Sequence, residues 1–293
     1  MAPIKLALLH SRVRVEEKLL IEALQQRDIN IKLIDIREVT FDPENPGPWQ
    51  EFDLILDRCI AHSQALAVTA VLESMGCLCI NQHDVTRLCG NKLETTLALF
   101  KHHVPTLPIR MAVSVEAALQ AIEELGYPVV LKPNTGSWGR LLAKVNDRDA
   151  AEAILEHKEV LGSVQHQIMY IQPYVEKCNF DIRAFVVGGE TICAVKRYSE
   201  HWITNTARGA KTENYPVNDE LARLCEAAAN AVGGGVLAVD VFETKKGELL
   251  VNEINSTMEF RNSIAVTGVN IPEQFVDYMI SCVHGGQRTT AAN

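Results

Sequence analysis

The sequence predicts a mixed α/β and α+β fold built from three successive segments. Apolar strands alternate with helices over residues 1–85, which is the pattern of a parallel, doubly wound sheet. Residues 86–176 combine amphipathic helices with short apolar strands, and residues 177–285 contain two strand pairs typical of β-hairpins. The polar tail at residues 286–293 is expected to be disordered.

Composition narrows the functional classes. The chain has 293 residues, 47% of them hydrophobic, and a formal net charge of −9, which argues against general nucleic-acid binding. The N-terminus becomes charged too early for a signal peptide, and no apolar run approaches the ~20 residues of a membrane span. We therefore expect a cytoplasmic protein whose eight scattered cysteines, none in a CxxC pair, are reduced thiols.

The elements of the first two segments follow from apolar periodicity. In the first segment, strands are predicted at IKLALLH, INIKLIDI, FDLILDRCI and CLCINQ, and helices at RVEEKLLIEALQQRD and ALAVTAVLESMG. In the second, helices are predicted at KLETTLALFKHHVP, VEAALQAIEELG and DRDAAEAILEHKEVL, with Asp147 as an N-cap. Strands are predicted there at PVVLKP, LLAKVND and QIMYIQPYV.

The third segment alternates hairpins and helices. The first hairpin turns at Gly188–Gly189, and the second turns at Thr244–Gly247. A helix at DELARLCEAAANAVGGG separates them, and a terminal helix is predicted at EQFVDYMISCVH.

Three oxygen-bearing side chains occur in the second hairpin. Glu253 and Asn255 lie two residues apart and so share one face of their strand. A turn at Thr244–Gly247 would place Asp240 opposite Val251 and on that same face, whereas a slip of one residue would turn it away. Carboxylates in apolar strands require a neutralising partner, and such oxygens suit magnesium. The hairpin therefore predicts a magnesium site, with a solvated polar face as the alternative.

Two lysines and a small-residue turn suggest phosphate binding. Lys132 ends an apolar strand, and Lys92 begins a helix, where its charge opposes the helix dipole unless it serves a ligand. The turn at Gly136–Arg140 can approach a ligand closely through its glycines. It matches neither GxxxxGK[ST] nor GxGxxG, so another architecture would hold the phosphate. Surface lysines and a plain hairpin turn are the alternatives.

Together these residues resemble the ATP-grasp superfamily over residues 85–280. In that family two lysines and a glycine-rich hairpin clamp the nucleotide between two α+β subdomains, and Asp, Glu and Asn side chains hold magnesium. The resemblance implies an ATP-grasp fold preceded by a Rossmann-like pre-ATP-grasp domain. The implied domains are 1–85 (pre-ATP-grasp), 86–176 (central, with the lid) and 177–285 (C-terminal, with the metal site).

A closer resemblance rests on longer strings, namely LHSRVRVEEKLL, GSWGRLLAKV, EHKEVLG, YVEK, HWITNTARG and NSTMEFRNS. They resemble one branch of the family, the ligases of amino-carrier-dependent lysine biosynthesis. Those enzymes use ATP and magnesium to join the α-amino group of 2-aminoadipate to the γ-carboxyl of the C-terminal glutamate of a small acidic carrier protein. The resemblance also implies a homo-oligomer, either a dimer or a tetramer.

The resemblance assigns nucleotide and metal roles to matching positions. Two magnesium ions would be held by Asp240, Glu253 and Asn255. The hinge reads Gln172-Pro173, where the family has Gln-Glu, and proline has no N–H to offer adenine. ATP would be bound by Lys92, Lys132, Gly136, Ser137, Trp138, Gly139, Arg140, Gln172, Pro173, Tyr174, Val175, Asp181, Arg183 and Asn205.

The implied reaction forms an acyl-phosphate on the carrier, which the amine then attacks. Arg197 and Asn205 would lie near the γ-phosphate, and Arg208 would stabilise the tetrahedral intermediate. The substrate pocket would contain His201, Trp202, Asn262 and Ser263, the last two being associated in the family with aminoadipate. Because both acceptor and donor are anionic, Arg197, Arg208, Lys211 and Arg261 are expected to form a positive funnel.

Three alternative functions remain open. A family member of the same type can act on glutamate in arginine synthesis, for which Gly-Phe replaces Asn262-Ser263. A related glutamate ligase modifies the C-terminus of a ribosomal protein. From a different class, an ATP-grasp relative can bind the nucleotide without turnover.

Overall fold

The computed structural model describes residues 3–136, 140–163, 167–199, 201–204 and 211–290. These residues form three β-sheets with helices packed on them. The mixed α/β and α+β architecture predicted from the sequence is confirmed, since one sheet is parallel and the other two are antiparallel.

The N-terminal sheet is parallel, with strand order β2-β1-β3-β4. The strands alternate with helices, which cover both faces of the sheet, so that β1, β3 and β4 are buried, whereas β2 at one edge is mostly exposed or half-buried. The elements are β1 (Leu6–His10), α1 (Val15–Gln25), β2 (Ile31–Asp35), α2 (Gly47–Gln50), β3 (Leu54–Asp57), α3 (His62–Ser74) and β4 (Cys79–Ile80).

The central sheet is antiparallel, with strand order β5-β8-β6-β7. Asp147 caps α7 as predicted, because its side chain accepts a hydrogen bond from the Ala150 N–H. The elements are α4 (His83–Gly90), α5 (Lys92–Lys101), β5 (Arg110–Ala112), α6 (Val115–Leu125), β6 (Val129–Lys132), β7 (Ala143–Val145), α7 (Arg148–Leu161) and β8 (Met169–Pro173).

The C-terminal sheet is antiparallel, with strand order β11-β10-β9-β12-β13. Both predicted hairpins are present, as β9–β10 and β12–β13. The last helix reaches Thr290, five residues into the segment that we expected to be disordered. The elements are β9 (Phe180–Val187), β10 (Glu190–Tyr198), β11 (Lys211–Tyr215), α8 (Asp219–Ala231), β12 (Val236–Glu243), β13 (Leu249–Asn255), α9 (Arg261–Thr267) and α10 (Ile271–Thr290).

The N-terminal and C-terminal units share one hydrophobic core. Leu8 of β1 belongs to the same buried cluster as Phe185 of β9 and Phe275 of α10. The central sheet instead packs its own core against α6 and α7, around Val129 and Leu155. The central unit therefore sits beside a larger body, and a cleft lies between them.

The register of the second hairpin differs from the prediction. Asp240 pairs with Glu253, not with Val251, because a bulge between Asp240 and Val241 leaves Asn252 as an extra residue in β13. Directly opposed residues of an antiparallel pair share a sheet face. Asp240 thus lies on the face of Glu253, and the expected shared face results from a different pairing.

The side chain of Asn81 connects the N-terminal unit to the start of β12 by hydrogen bonds. The Asn81 amide donates to the carbonyls of Val236 (2.8 Å) and Ser256 (2.7 Å), and its Oδ1 accepts the Val236 N–H at 2.8 Å. The backbone of Gly235 (φ +99°) passes so close that a Cβ there would lie 2.2 Å from Asn81 Oδ1.

We expect Gly235→Ala to lower the free energy of unfolding by roughly 3 kcal/mol, since it adds a clash with the Asn81 side chain to the strain of a positive φ. Gly247→Ala is the matched control, because Gly247 (φ +81°) has open space at its Cβ position and suffers only the strain, about 1 kcal/mol. Chemical denaturation measures both. Equal losses of stability in the two variants would contradict the claim that close contact with Asn81 requires a glycine at position 235.

Two further features bear on the sequence analysis. None of the eight cysteines forms a disulfide. Among the described residues, no helix has the length and hydropathy needed to cross a membrane.

Candidate active site

A cavity of about 450 Å³ occupies the cleft between the central and C-terminal sheets. Its walls come from β6, β8, β9, β10, β12 and β13, with Cys59–His62 closing one side from the N-terminal unit. Most residues predicted to bind nucleotide or metal line this cavity. They are Lys132, Gly136, Gln172, Pro173, Tyr174, Val175, Asp181, Arg183, Arg197, Asp240, Glu253 and Asn255.

Asp240 lies at the floor of the cavity between two arginines. Arg183 donates to both carboxylate oxygens at 2.8 Å, and Arg197 Nη2 approaches Oδ1 at 3.2 Å. Burial would raise the pKa of Asp240, but the two guanidiniums lower it to about 2. The carboxylate therefore stays charged at any physiological pH.

Arg197 links this carboxylate to Asp181. Its Nε donates to Asp181 Oδ1 at 2.7 Å, and Thr204 donates a short hydrogen bond to Asp181 Oδ2. Lys177 stands 3.6 Å from the same carboxylate and donates to Thr204 at 2.6 Å. The row of alternating charges holds each cation in a fixed place beside the cavity.

Lys92 joins three separated parts of the chain. Its Nζ donates to Glu253 Oε1 at 3.0 Å and to the Gly136 carbonyl at 2.8 Å, where the predicted lid begins. Its backbone N–H donates to the Asn134 carbonyl at 2.7 Å. Lys92, the first residue of α5, thus connects one end of the glycine-rich turn to the strand face that carries Glu253.

Lys132 is almost fully buried, with 7% of its surface exposed. Its Nζ donates to Asn252 Oδ1 at 2.8 Å, and Asn252 is the extra residue created by the β13 bulge. Burial, with smaller contributions from Lys92 and Lys177, lowers the pKa of Lys132 to about 8, although Glu253 opposes this shift. A buried lysine with a neutral partner is ready to meet an anion.

The predicted metal ligands fit magnesium held jointly with phosphate. In the part of the chain that the structure describes, no three His, Cys, Asp or Glu side chains gather closely enough to hold a metal alone. Asp240, Glu253 and Asn255 supply hard oxygen donors, and the buried Nδ2 of Asn255 has no hydrogen-bond partner. A few protein oxygens completed by phosphate oxygens and water are the usual magnesium arrangement. When bound, the ion would screen the charge of the triphosphate.

The hinge forms the opposite wall. Tyr174 donates its N–H to the Pro128 carbonyl at 3.0 Å, so alternation points the N–H position of residue 173 away from β6. Pro173 therefore removes no hydrogen bond from this pair of strands. Lys144 Nζ lies 3.6 Å from the centre of the Tyr174 ring, which fastens the hinge to β7.

The structure separates two residues that were expected to share the substrate pocket with Asn262. Trp202 lines the first cavity and meets Tyr174 edge-on, with ring centroids 6.3 Å apart. His201 is exposed, and its Nδ1 accepts the Ile203 N–H at 3.1 Å. Trp202 therefore lies beside the hinge, and neither residue lines the cavity that contains Asn262 and Ser263.

A second cavity, of about 490 Å³, adjoins the first. Asn262 and Ser263 line it, as do residues of the N-terminal loop between β1 and α1. Its charged lining is mostly cationic, with two carboxylates, Glu16 and Glu259. The cations are Arg12, Arg14, Lys18, Arg183, Arg197 and Arg261.

Arg14 is the residue at this junction that the sequence analysis does not single out. Its guanidinium contacts Glu17, which is fully buried and also accepts from Arg58 Nε at 2.8 Å. Arg58 in turn donates to the Met258 carbonyl at 3.1 Å. The network fixes the N-terminal loop against residues 258–261, so the second cavity has a rigid wall.

Several predicted residues lie outside the described residues, namely Ser137, Trp138 and Gly139 of the lid, and Asn205 and Arg208. Arg140 is described at the far end of the lid. In the predicted funnel, Arg197 and Arg261 line the second cavity, and Lys211 is exposed at the start of β11 beside the lining residue Thr212.

Two family models match successive parts of this chain. Residues 6–88 match the model of the LysX preATP-grasp domain, and residues 89–279 match that of the RimK-like ATP-grasp domain. The chain is 36% identical to the alpha-aminoadipate–LysW ligase LysX of Saccharolobus solfataricus, over 88% of this chain and 94% of that protein. It is 31% identical to the glutamate–LysW ligase ArgX of Sulfolobus acidocaldarius, over 94% and 98% of the two chains.

A solved structure is also similar. The RimK domain ATP-grasp protein of Sphaerobacter thermophilus has a TM-score of 0.79 and 30% identity, covering 94% of this chain and 98% of that one. The fold and the site define an ATP-grasp carboxylate–amine ligase, an ATP-binding enzyme. Within that class, the chain belongs to the RimK-like ATP-grasp family and carries the preATP-grasp domain of the LysX type.

Proposed function

We propose that this enzyme ligates the α-amino group of 2-aminoadipate to the γ-carboxyl of the C-terminal glutamate of a small acidic carrier protein, in lysine biosynthesis. The observation that supports the proposal is the pair of adjoining cavities. One is lined by Lys132, Asp240, Glu253 and Asn255, with Lys92 bound to Glu253 beside it, and the other is cationic and lined by Asn262 and Ser263. The similarity to LysX and ArgX ligases supports a carrier-protein partner.

In the proposed nucleotide site, Lys92 and Lys132 bind the α- and β-phosphates, and the turn from Gly136 to Arg140 covers them. The hinge at 172–175 holds adenine, to which Pro173 can offer only its carbonyl. Asp240, Glu253 and Asn255 would hold the magnesium ions, for which two are proposed. None of these groups is a nucleophile, because their work is to screen charge and align reactants.

The proposed reaction has two steps. A carrier γ-carboxylate oxygen attacks the γ-phosphorus, and ADP leaves, which produces an acyl-phosphate. The amine of aminoadipate then attacks the acyl carbon, and phosphate leaves with the former carboxylate oxygen. Arg197 stands where it can meet the transferred phosphoryl group, because it lies between Asp181 and Asp240 on the wall between the cavities.

The charge of the second cavity suits an acidic amino acid. Aminoadipate carries two carboxylates and one ammonium group, and six cations face two carboxylates in this lining. Ser263 is buried with 4% exposure, so a larger side chain there would change the shape of the cavity. The glutamate ligase is the second candidate, favoured by the similarity to ArgX.

The mass of the carrier protein tests the proposal directly. Incubation of the carrier with enzyme, ATP, magnesium and aminoadipate should add the mass of one aminoadipate residue. Incubation with glutamate at the same concentration should modify far less of the carrier. Addition of glutamate alone would favour the second candidate. An unmodified carrier in both reactions would contradict both.

We expect the paired change Asn262→Gly with Ser263→Phe to lower the preference for aminoadipate over glutamate at least 10-fold in kcat/KM. The two substrates differ by one methylene, which a pocket distinguishes by roughly 10- to 200-fold. Val266→Ala, on the same helix but half-exposed, is the control and should leave the ratio unchanged. An unaltered ratio in the double variant would remove these two residues from specificity.

A further inference from the structure

The two cavities meet at a wall of four shared residues. Among the described residues, Arg14, Arg183, Arg197 and Glu259 are those that line both cavities. Three of the four are arginines, which remain charged and cannot accept a proton. Glu259 is therefore the shared group of this wall that can attract a cation or take up a proton.

Glu259 is also held at a longer distance than the carboxylates that line only the first cavity. Among the described residues it contacts Arg14 Nη1 at 3.4 Å, and 38% of its side chain is exposed. By contrast, Asp240 and Asp181 are bound by arginines at 2.8 Å and 2.7 Å, and Glu253 is bound by Lys92 at 3.0 Å. Glu259 can turn to a ligand without leaving a buried partner unpaired.

Arg14 explains why Glu259 is held loosely. The guanidinium of Arg14 is already bound by the fully buried Glu17, at 2.9 Å from Nη2 and 3.1 Å from Nε. Its remaining nitrogen reaches Glu259 at the long end of hydrogen-bond distance. Glu259 is thus kept beside the boundary of the cavities while its carboxylate stays available.

This placement matters for the second half of the proposed reaction, on which the inference rests. The nucleophile arrives as an ammonium group, which a cationic cavity repels. After attack on the acyl carbon, the nitrogen carries a positive charge and must lose a proton before the amide is stable. Both needs are met by one carboxylate at the point where the acyl group and the amino acid meet.

We propose that Glu259 is a further catalytic residue, which binds the α-ammonium group of the amino-acid substrate and accepts its proton. One proton first passes from the ammonium group to a Glu259 carboxylate oxygen and on to solvent, which frees the nitrogen lone pair. The C–N bond forms as that lone pair attacks the acyl carbon, and a second proton then passes from the positively charged nitrogen to the same carboxylate. The C–O bond to phosphate breaks, its electron pair leaves on phosphate, and Glu259 returns the proton to solvent.

The test uses hydroxylamine, an uncharged nucleophile that traps acyl-phosphates and needs no ammonium site. With Glu259→Gln, ATP and the carrier protein, we expect hydroxamate formation within about 3-fold of the wild-type rate. Under the same conditions, kcat/KM for aminoadipate should fall by roughly 100-fold or more, the usual contribution of a positioned base. Glu156→Gln, an exposed glutamate on α7, is the matched control and should change neither rate.

The outcomes separate the inference from the proposed function. If Glu259→Gln loses hydroxamate and ligation equally, Glu259 supports the fold or the first step, and the inference is wrong. If the variant ligates aminoadipate at the wild-type rate, the inference is also wrong. If the wild-type enzyme forms neither hydroxamate nor ligated carrier, it is the proposed function that fails.

Discussion

Replacement of Asp240 by asparagine is expected to reduce ligation roughly 100- to 1,000-fold. The carboxylate faces Arg183 and Arg197 in a buried site and is the central member of the predicted metal set. Its loss leaves the Arg183 guanidinium with a neutral partner, while Arg197 keeps Asp181, and we expect this to lower the free energy of unfolding by about 3 kcal/mol. Steady-state kinetics and chemical denaturation measure the two effects on the same preparation.

Asp277→Asn is the matched control for this change. Asp277 also pairs with an arginine, Arg27, but it lies on α10 away from both cavities and is 56% exposed. Exposed pairs contribute at most about 1 kcal/mol, so stability and ligation should both stay close to wild type. Full ligation by Asp240→Asn would show that Asp240 has no part in the reaction.

Replacement of Lys132 by methionine is expected to weaken ATP binding roughly 10- to 100-fold while making the protein more stable. The lysine is buried, and its pKa is lowered by that burial to about 8. Loss of one charge-assisted hydrogen bond to phosphate accounts for the weaker binding. Removal of a buried charge accounts for the gain in stability, which reaches about 3 kcal/mol at about 1.4 kcal/mol per pKa unit.

The stability gained by Lys132→Met depends on pH, and the direction of that dependence follows from the lowered pKa of Lys132. The pKa of Lys132 in the folded protein, about 8, lies below the ordinary lysine pKa of 10.5, so between these two values the unfolded chain binds more protons. The stability of the wild-type protein therefore rises from pH 8 towards 10.5, and the advantage of Lys132→Met shrinks over the same range. Calorimetry of both proteins below pH 8 and near pH 10.5 checks this. A variant that is less stable at pH 7, or that binds ATP normally, would contradict it.

The fold was predictable from the sequence because its signals are local. Alternating apolar strands and helices in residues 1–85, and glycine turns in the two hairpins, each need only neighbouring residues. The short elements α2, α4, α9, β5 and β11 were not predicted, since so few residues give no clear periodicity. The bulge at Asn252 was missed for a related reason, because strict alternation cannot reveal an extra residue.

The candidate site was predictable only where a residue pattern marks it. Lys92 and Lys132 stand out by their placement at a helix start and a strand end, and the three metal-ligand candidates stand out as oxygen-bearing side chains in apolar strands. The structure places Lys132 and these three around one cavity, and Lys92 binds Glu253 beside it. Arg14 and Glu259 are ordinary charged residues in sequence, and 245 positions separate them. Their meeting depends on the shared core of the N-terminal and C-terminal units, which no local signal encodes.

The most direct test of the account is a crystal structure with Mn²⁺ in place of magnesium and a non-hydrolysable ATP analogue. We expect an anomalous peak within about 2.5 Å of oxygens from Asp240, Glu253 or Asn255 and of the analogue's phosphates, with Lys132 on the triphosphate. A nucleotide bound outside this cleft, or an ion that touches none of the three side chains, would contradict it.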